Sequence, residues 1–116
     1  MSNDDCLFCK IANKQITSNI VYEDEQIIAF KDIAPHMPVH IVLIPKLHIH
    51  GLNEITNESS VIVAHIVMMT KVLAIKFNID TSGYRLISNC GHDAGQSVQH
   101  LHFHLLGGAL MTNHFA

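Results

Sequence analysis

At 116 residues, with 48% hydrophobic and 15% charged side chains, the chain is sized for a single domain (1–116) that buries roughly two-thirds of the surface its unfolded form exposes. A net charge of −3 and only seven lysines and arginines argue against a nucleic-acid-binding face, which needs clustered positive charge, and no run approaches the roughly 18–20 apolar residues of a membrane span. Met1-Ser2-Asn3-Asp4-Asp5 is acidic with no apolar secretory core, and three cysteines, two of them spaced Cys6-x-x-Cys9, suit a reducing compartment, so a cytoplasmic protein is expected.

Residues 6–13 read as a short helix, with Asp4 or Asp5 placed to cap its free N–H groups. A spacing of three puts the thiols of Cys6 and Cys9 on the same side of one turn. Residues 19–23 and 27–32 are apolar runs around Asp24-Glu25-Gln26, a hairpin by length and turn chemistry. Pro35 and Pro38 keep 33–38 out of a central strand. The β-branched run 40–44 predicts a buried strand, stopped by Pro45. Thr56 or Asn57 opens one long helix over 58–78.

That helix is apolar almost all round, with Glu58, His65 and Lys76 forming a narrow polar stripe at 100° per residue. Such a helix needs cover on more than one side, most simply its own sheet and a second copy of the chain. Residues 84–89 predict another strand, followed by a loop over 90–95. Helices this few, without regular βαβ alternation, indicate an α+β fold with a largely antiparallel sheet.

The last predicted strand, 95–108, carries His100, His102 and His104 alternating with Leu101, Phe103 and Leu105. A strand repeats every two residues, so the three imidazoles share one face and the apolar side chains the other. Gly95-Gln96-Ser97 just upstream is a flexible turn whose amides can approach an anion closely. From this pattern alone three readings stand: a metal site, nucleophilic chemistry, or an inert solvated face.

His-x-His-x-His after Gly95-Gln96-Ser97-Val98 closely resembles the signature of the histidine triad (HIT) family of nucleotidyl hydrolases and transferases, most of all its Hint branch of purine nucleoside phosphoramidate hydrolases. The resemblance runs from Cys6-Leu7-Phe8-Cys9-Lys10-Ile11 through Phe30-Lys31-Asp32-Ile33 and His40-Ile41-Val42-Leu43-Ile44-Pro45-Lys46 to Gly108, with Asn89 in place. It implies a five-stranded antiparallel sheet with one short and one long helix, assembled as a two-fold homodimer through the long helices. It also implies that His102 is the nucleophile, that His104 holds a phosphate oxygen, and that His40 supports the proton balance. Ser97 and the amides from Gly95 through Gln96 to Val98 would bind phosphate. Asn89 would lie near the phosphate and leaving group, Asp32 would accept from ribose hydroxyls, and Leu7, Phe8, Ile11, Phe30 and Ile33 would wall the base pocket; plain core packing is the alternative for those five.

The expected activity is hydrolysis of purine nucleoside 5′-phosphoramidates, of the adenosine 5′-phosphoramidate or AMP–lysine type, to the monophosphate and an amine, with no cofactor required for catalysis. The alternatives are dinucleoside polyphosphate hydrolysis, or a zinc-stabilised nucleotide-binding scaffold dimer with incidental turnover. Several relatives bind zinc through the residues matching Cys6, Cys9, His48 and His100, and two thiolates with two imidazoles suit a closed tetrahedral structural site; otherwise the two cysteines are small buried helix residues. His36, His50, His65, His92 and His114 read as ordinary polar positions. Hint-branch chains commonly end in a tryptophan-containing tail; this one has no tryptophan, and Asn113 stands about where it would fall, which leaves leaving-group preference open. No Gly-x-x-x-x-Gly-Lys loop points to ATP-driven work.

Overall fold

The elements run α1 (Leu7–Ala12), β1 (Ile20–Glu23), β2 (Ile27–Lys31), β3 (Val39–Pro45), α2 (Ser60–Lys76), β4 (Tyr84–Ile87) and β5 (Phe103–Gly107) in a computed structural model that describes residues 5–112. The expected cap at Asp4 and the positions of Asn113 and His114 lie outside the described residues. All strand pairs are antiparallel in one sheet of order β1-β2-β3-β5-β4, which is the α+β class the sequence indicates. Among the described residues, no helix is long and apolar enough to cross a membrane.

Period-two alternation sorts the sheet into two faces. Ile27, Ala29, Ile41, Leu43, Leu101, Phe103 and Leu105 pack with Ile66, Leu73 and Ala74 of α2. Ile28, Phe30, Val42 and Ile44 point the other way, onto Phe8, Cys9 and Ile11 of α1. Central strands β2 and β3 are therefore buried on both sides. Each fully buried leucine or isoleucine contributes roughly 1.5–3 kcal/mol, so the rigid centre of the molecule is the strand pair that carries His40 and faces β5.

Two local starts differ from expectation. The N-cap of α1 is Cys6, whose sulfur accepts from the Cys9 amide at 3.2 Å. The long helix begins at Ser60, after Thr56 and Ser59 exchange side-chain bonds: Thr56 N–H to Ser59 Oγ at 2.9 Å and Ser59 N–H to Thr56 Oγ1 at 3.1 Å. This reciprocal pairing has the geometry of a capping box, but it closes a turn over 57–59 ahead of the helix, which Ser59 flanks directly.

The hairpin is tied down by Asp24. Its Oδ1 accepts from the amides of Gln26 (2.8 Å) and Ile27 (3.0 Å), and its Oδ2 from the Tyr22 hydroxyl (2.6 Å) and His65 of α2. Burial pushes this carboxyl up, but the bonds from His65, Tyr22 and the two amides outweigh it and hold it well below the usual range. His65 is thus an anchor between helix and hairpin rather than an ordinary polar position. Lys76 also turns to the hairpin, onto the Val21 carbonyl at 3.1 Å. With those polar groups spent inward, α2 presents Val61, Val67, Met68, Val72 and Ile75 to solvent, each about half exposed or more.

The ladder of β5 starts at Phe103, eight residues later than 95. Upstream, Ser88 Oγ donates to the His102 carbonyl at 2.8 Å and the Leu101 amide donates to the Ile49 carbonyl at 2.6 Å. The Leu101 amide and the His102 carbonyl are therefore satisfied outside the sheet, and β4 correspondingly stops at Ile87. Alternation survives the change: Leu101 still faces α2, and His102 still faces Phe8 of α1.

Candidate active site

Two rungs of the sheet build the α1-side face. One runs Phe30, Val42, His104, Ile87; the next runs Asp32, His40, Leu106, Arg85. Below the start of β5, His102 packs its ring edge against Phe8 with centroids 4.9 Å apart, and Phe8 in turn meets Phe30 at 5.6 Å. A cleft with two lobes opens above these residues. The apolar lobe, about 270 Å³, is lined by Leu7, Phe8, Ile11, Phe30, Ile33, Val98 and His102. The other, about 550 Å³, is lined by His36, His40, Arg85, Asn89, Met111 and Thr112. Asp32, Ser97 and His104 border both lobes.

Backbone groups fix the tautomers of His40 and His102, and His40 in turn fixes that of His104. The His36 amide donates to His40 Nδ1 at 3.1 Å, so the proton of neutral His40 sits on Nε2. That Nε2–H lies 2.9 Å from His104 Nδ1 and 3.4 Å from Asp32 Oδ2. His104 Nδ1 therefore accepts, and its Nε2 carries an N–H available to the cleft. His102 is the mirror case: Nδ1–H donates to the His100 carbonyl at 2.7 Å, which leaves a lone pair on Nε2.

Burial favours the neutral forms throughout. It pushes His104 down to about 4, helped by neighbouring His102 and His40 and opposed by Asp32. His102 and His40 are also lowered by burial, with the His100 carbonyl and Asp32 opposing at His102, and Asp32 at His40. The result is one uncharged nucleophilic nitrogen beside one uncharged donor. Asp32, His40 and His104 bring three ligating atoms within 4.8 Å, but the proton that the His36 amide forces onto His40 Nε2 makes this a proton-sharing group, not a cation site.

A second cluster does suit a metal. Cys6, Cys9, His48 and His100 place one donor atom each within 4.8 Å of the others. His100 donates Nε2–H to the Pro45 carbonyl at 2.8 Å, turning the Nδ1 lone pair toward Cys6 Sγ (3.2 Å), Cys9 Sγ (3.4 Å) and His48 Nδ1 (3.2 Å). Donors around a tetrahedral zinc with bonds of about 2.0–2.3 Å are roughly 3.3–3.8 Å apart, so the cluster is already close to a closed four-ligand site. Its ligands come from α1, the segment after β3 and the segment before β5, which it would bind together.

The comparisons agree with this geometry. A family model described as "Scavenger mRNA decapping enzyme C-term binding" matches residues 5–114. An uncharacterized HIT-like protein of Synechococcus elongatus is 44% identical over 106 residues, 91% of this chain and 92% of that one. A histidine triad protein from Clostridium difficile superposes with a TM-score of 0.95 at 44% identity, covering 98% of this chain and 99% of that one. The chain belongs to the histidine triad family. A HIT family hydrolase from Legionella pneumophila also superposes, with a TM-score of 0.92 at 44% identity, over 94% of this chain and 97% of that one.

In this histidine triad protein most of the sequence-derived site residues converge on the cleft, and a few do other work. Gly95 and Gln96 do not line it. Gly95 has φ of +79°, a left-handed turn that costs glycine little. The buried Gln96 amide is a strut, donating to the carbonyls of His50 (2.8 Å) and Val98 (3.1 Å) and accepting from the Gly91 amide (2.9 Å). It thereby shapes the turn that presents Ser97. Asp32 has one oxygen committed to the Ala34 amide at 2.8 Å, and Ile33 stands 98% exposed at the rim. Sequence reasoning missed His36, whose amide sets the His40 tautomer, and Arg85, which lines the larger lobe. For Arg85 the odd-numbered side of β4, shared with Ile87 and Asn89, was the available signal.

Proposed function

We propose that this protein is a hydrolase of purine nucleoside 5′-phosphoramidates, of the adenosine 5′-phosphoramidate and AMP–lysine type, acting through a nucleotidyl-histidine. The observation that carries the reading is the pair of fixed tautomers where the lobes meet: a lone pair on His102 Nε2 and an N–H on His104 Nε2. Names of similar structures, HIT family hydrolases from Legionella pneumophila and Clostridium thermocellum, support the reaction class.

The base enters the apolar lobe against Phe8 and Phe30, with Leu7, Ile11 and Ile33 closing over it, and Asp32 takes the ribose hydroxyls. His104 Nε2–H, Ser97 and the amides leading to Val98 receive the nonbridging phosphate oxygens, preorganised donors for charge that moves during phosphoryl transfer. His102 Nε2 attacks the α-phosphorus; the Nε2–P bond forms, the P–N bond breaks, and the departing nitrogen takes the hydroxyl proton of Ser97, which lies beside Asn89 and recovers it in the next step. Water then displaces His102 from phosphorus and returns that proton, giving nucleoside monophosphate and free amine. Incubation with AMP–lysine is expected to yield AMP faster than diadenosine polyphosphates do; tight AMP binding without turnover of either would replace the hydrolase by a nucleotide-binding scaffold.

Zinc at Cys6, Cys9, His48 and His100 completes the reading. Four protein ligands leave no open position, so its duty is to hold α1 against the strand segment before His102. Dialysis against a chelator is expected to release about one zinc per chain and to lower Tm; protein purified without any bound metal would refute this. A second copy of the chain covers the outer stripe of α2, where Val61, Met68, Val72 and Ile75 recur at spacings of seven, four and three, the seam of packed helices. Sedimentation at micromolar concentration should give a dimer, and a monomer would count against it. A cytoplasmic setting keeps the two thiols reduced, and neither nucleic acid nor membrane enters the scheme.

A further inference from the structure

Beyond Asp32, Ser97 and His104, which it shares with the apolar lobe, the larger lobe has no task in nucleotide recognition, yet it holds the only arginine of the chain, Arg85. Arg85 stands opposite Leu106 on β4, while Ile87 stands opposite His104. It is thus two residues, roughly 7 Å, along the strand from the rung of the phosphate-binding histidine. Its neighbour Leu86 packs into the core beneath α2, so the guanidinium belongs to the cleft face. Arg85 Nη2 donates to the Thr112 carbonyl at 3.0 Å, a neutral acceptor. Among the described residues no carboxylate pairs with it.

An arginine offers five N–H donors in a planar fork matched to carboxylate and phosphate. One of its nitrogens is occupied here, and a permanent cation without an acid partner in a cleft favours an anionic ligand. Asp32 borders the same lobe, but its oxygens face the Ala34 amide and His40. Asn89 commits its Nδ2 to the Ala94 carbonyl at 2.9 Å, which leaves its Oδ1 as an acceptor near Ser97. The lobe therefore presents the Asn89 acceptor and a cationic fork beside Ser97 and His104.

Resting on the hydrolase reading, we infer that this lobe receives the leaving group and that Arg85 holds an anionic group on it. The substrate class is a nucleoside monophosphate joined to a departing group that carries its own negative charge. Asn89 Oδ1 accepts an N–H of a departing amine, and the fork binds the charge beyond. A carboxylate on the amine and a second phosphate both have this chemistry, so the test has an arm for each.

The first arm compares kcat/KM for AMP–lysine and AMP–lysinamide, a pair differing in one charge. The native enzyme is expected to favour the acid by roughly 10- to 100-fold, the size of a charge-assisted bond. Arg85→Gln should bring that ratio to about one, and Arg85→Lys, which keeps charge but loses the fork, should fall between. The second arm compares diadenosine triphosphate with AMP–lysinamide; a preference lost in Arg85→Gln on this arm alone assigns the anion to phosphate. Ratios near one on both arms, or a preference that survives Arg85→Gln, overturn the assignment of Arg85 and leave the hydrolase reading standing. No turnover of any of these compounds overturns the hydrolase reading and this inference with it.

Discussion

His102→Ala is expected to lower kcat on AMP–lysine by about 10⁴- to 10⁶-fold, the loss seen when a covalent nucleophile is removed from a preorganised site. The native enzyme, quenched during turnover, should carry a nucleotide on His102, visible by mass spectrometry as an added nucleotidyl mass. The effect is this large because the two-step route disappears altogether: His102 Nε2 is the imidazole lone pair at the apolar lobe, and the donor arrangement at His104 cannot attack phosphorus. The protonation state adds a second check. Only neutral His102 is nucleophilic, and burial lowers its pKa from the ordinary value of 6.5 against the opposing pull of the His100 carbonyl and Asp32. The acid limb of kcat/KM therefore lies below pH 6.5, and activity is lost as pH falls through it. His104 is likewise lowered by burial, to about 4, so it stays neutral at pH values well above that. An acid limb above 6.5, or a variant at position 102 that still turns over, would remove the nucleophile from the scheme.

His104→Ala is expected to cost about 10²–10³-fold in kcat, as loss of one oxyanion donor does, with a smaller change in KM. The His36 amide, His40 and His104 form a line of donors and acceptors that ends in one N–H facing the cleft. A donor built in this way needs no reorientation as charge develops on the phosphoryl oxygen. Truncation removes the donor and leaves His40 Nε2–H, at 5% residue exposure, with only the more distant Asp32 carboxylate, 3.4 Å away, as acceptor. Single-turnover measurement separates the outcomes: a slower first burst of amine release supports the donor role, while an unchanged burst with slow AMP formation would confine His104 to the second step.

Much of this was legible in the chain. Alternation around Leu101, Phe103 and Leu105 placed the three histidines together on one side, and the Cys-x-x-Cys turn did meet His100. Other features depend on groups far apart in sequence, so local pattern had no access to them. Ser88 takes the His102 carbonyl out of the ladder, which is why the strand starts at Phe103. Cys6 caps its own helix, a role that composition assigns to aspartate more readily. The polar stripe of α2 reads as a solvent face by periodicity, but Asp24 and the Val21 carbonyl draw His65 and Lys76 inward. Arg85 on an edge strand looks like any surface cation until the register sets it beside Leu106.

The strand order has a consequence for how the molecule is made. β5 lies between β3 and β4, so the last strand among the described residues is inserted into the middle of the sheet. Before residues 101–107 emerge, β4 has no neighbour to pair with and β3 shows a bare hydrogen-bonding edge, the kind of surface on which nascent chains aggregate. Folding is thereby deferred to long-range pairing late in synthesis, and His102, His104 and the middle of the sheet that supports them come into being in the same step.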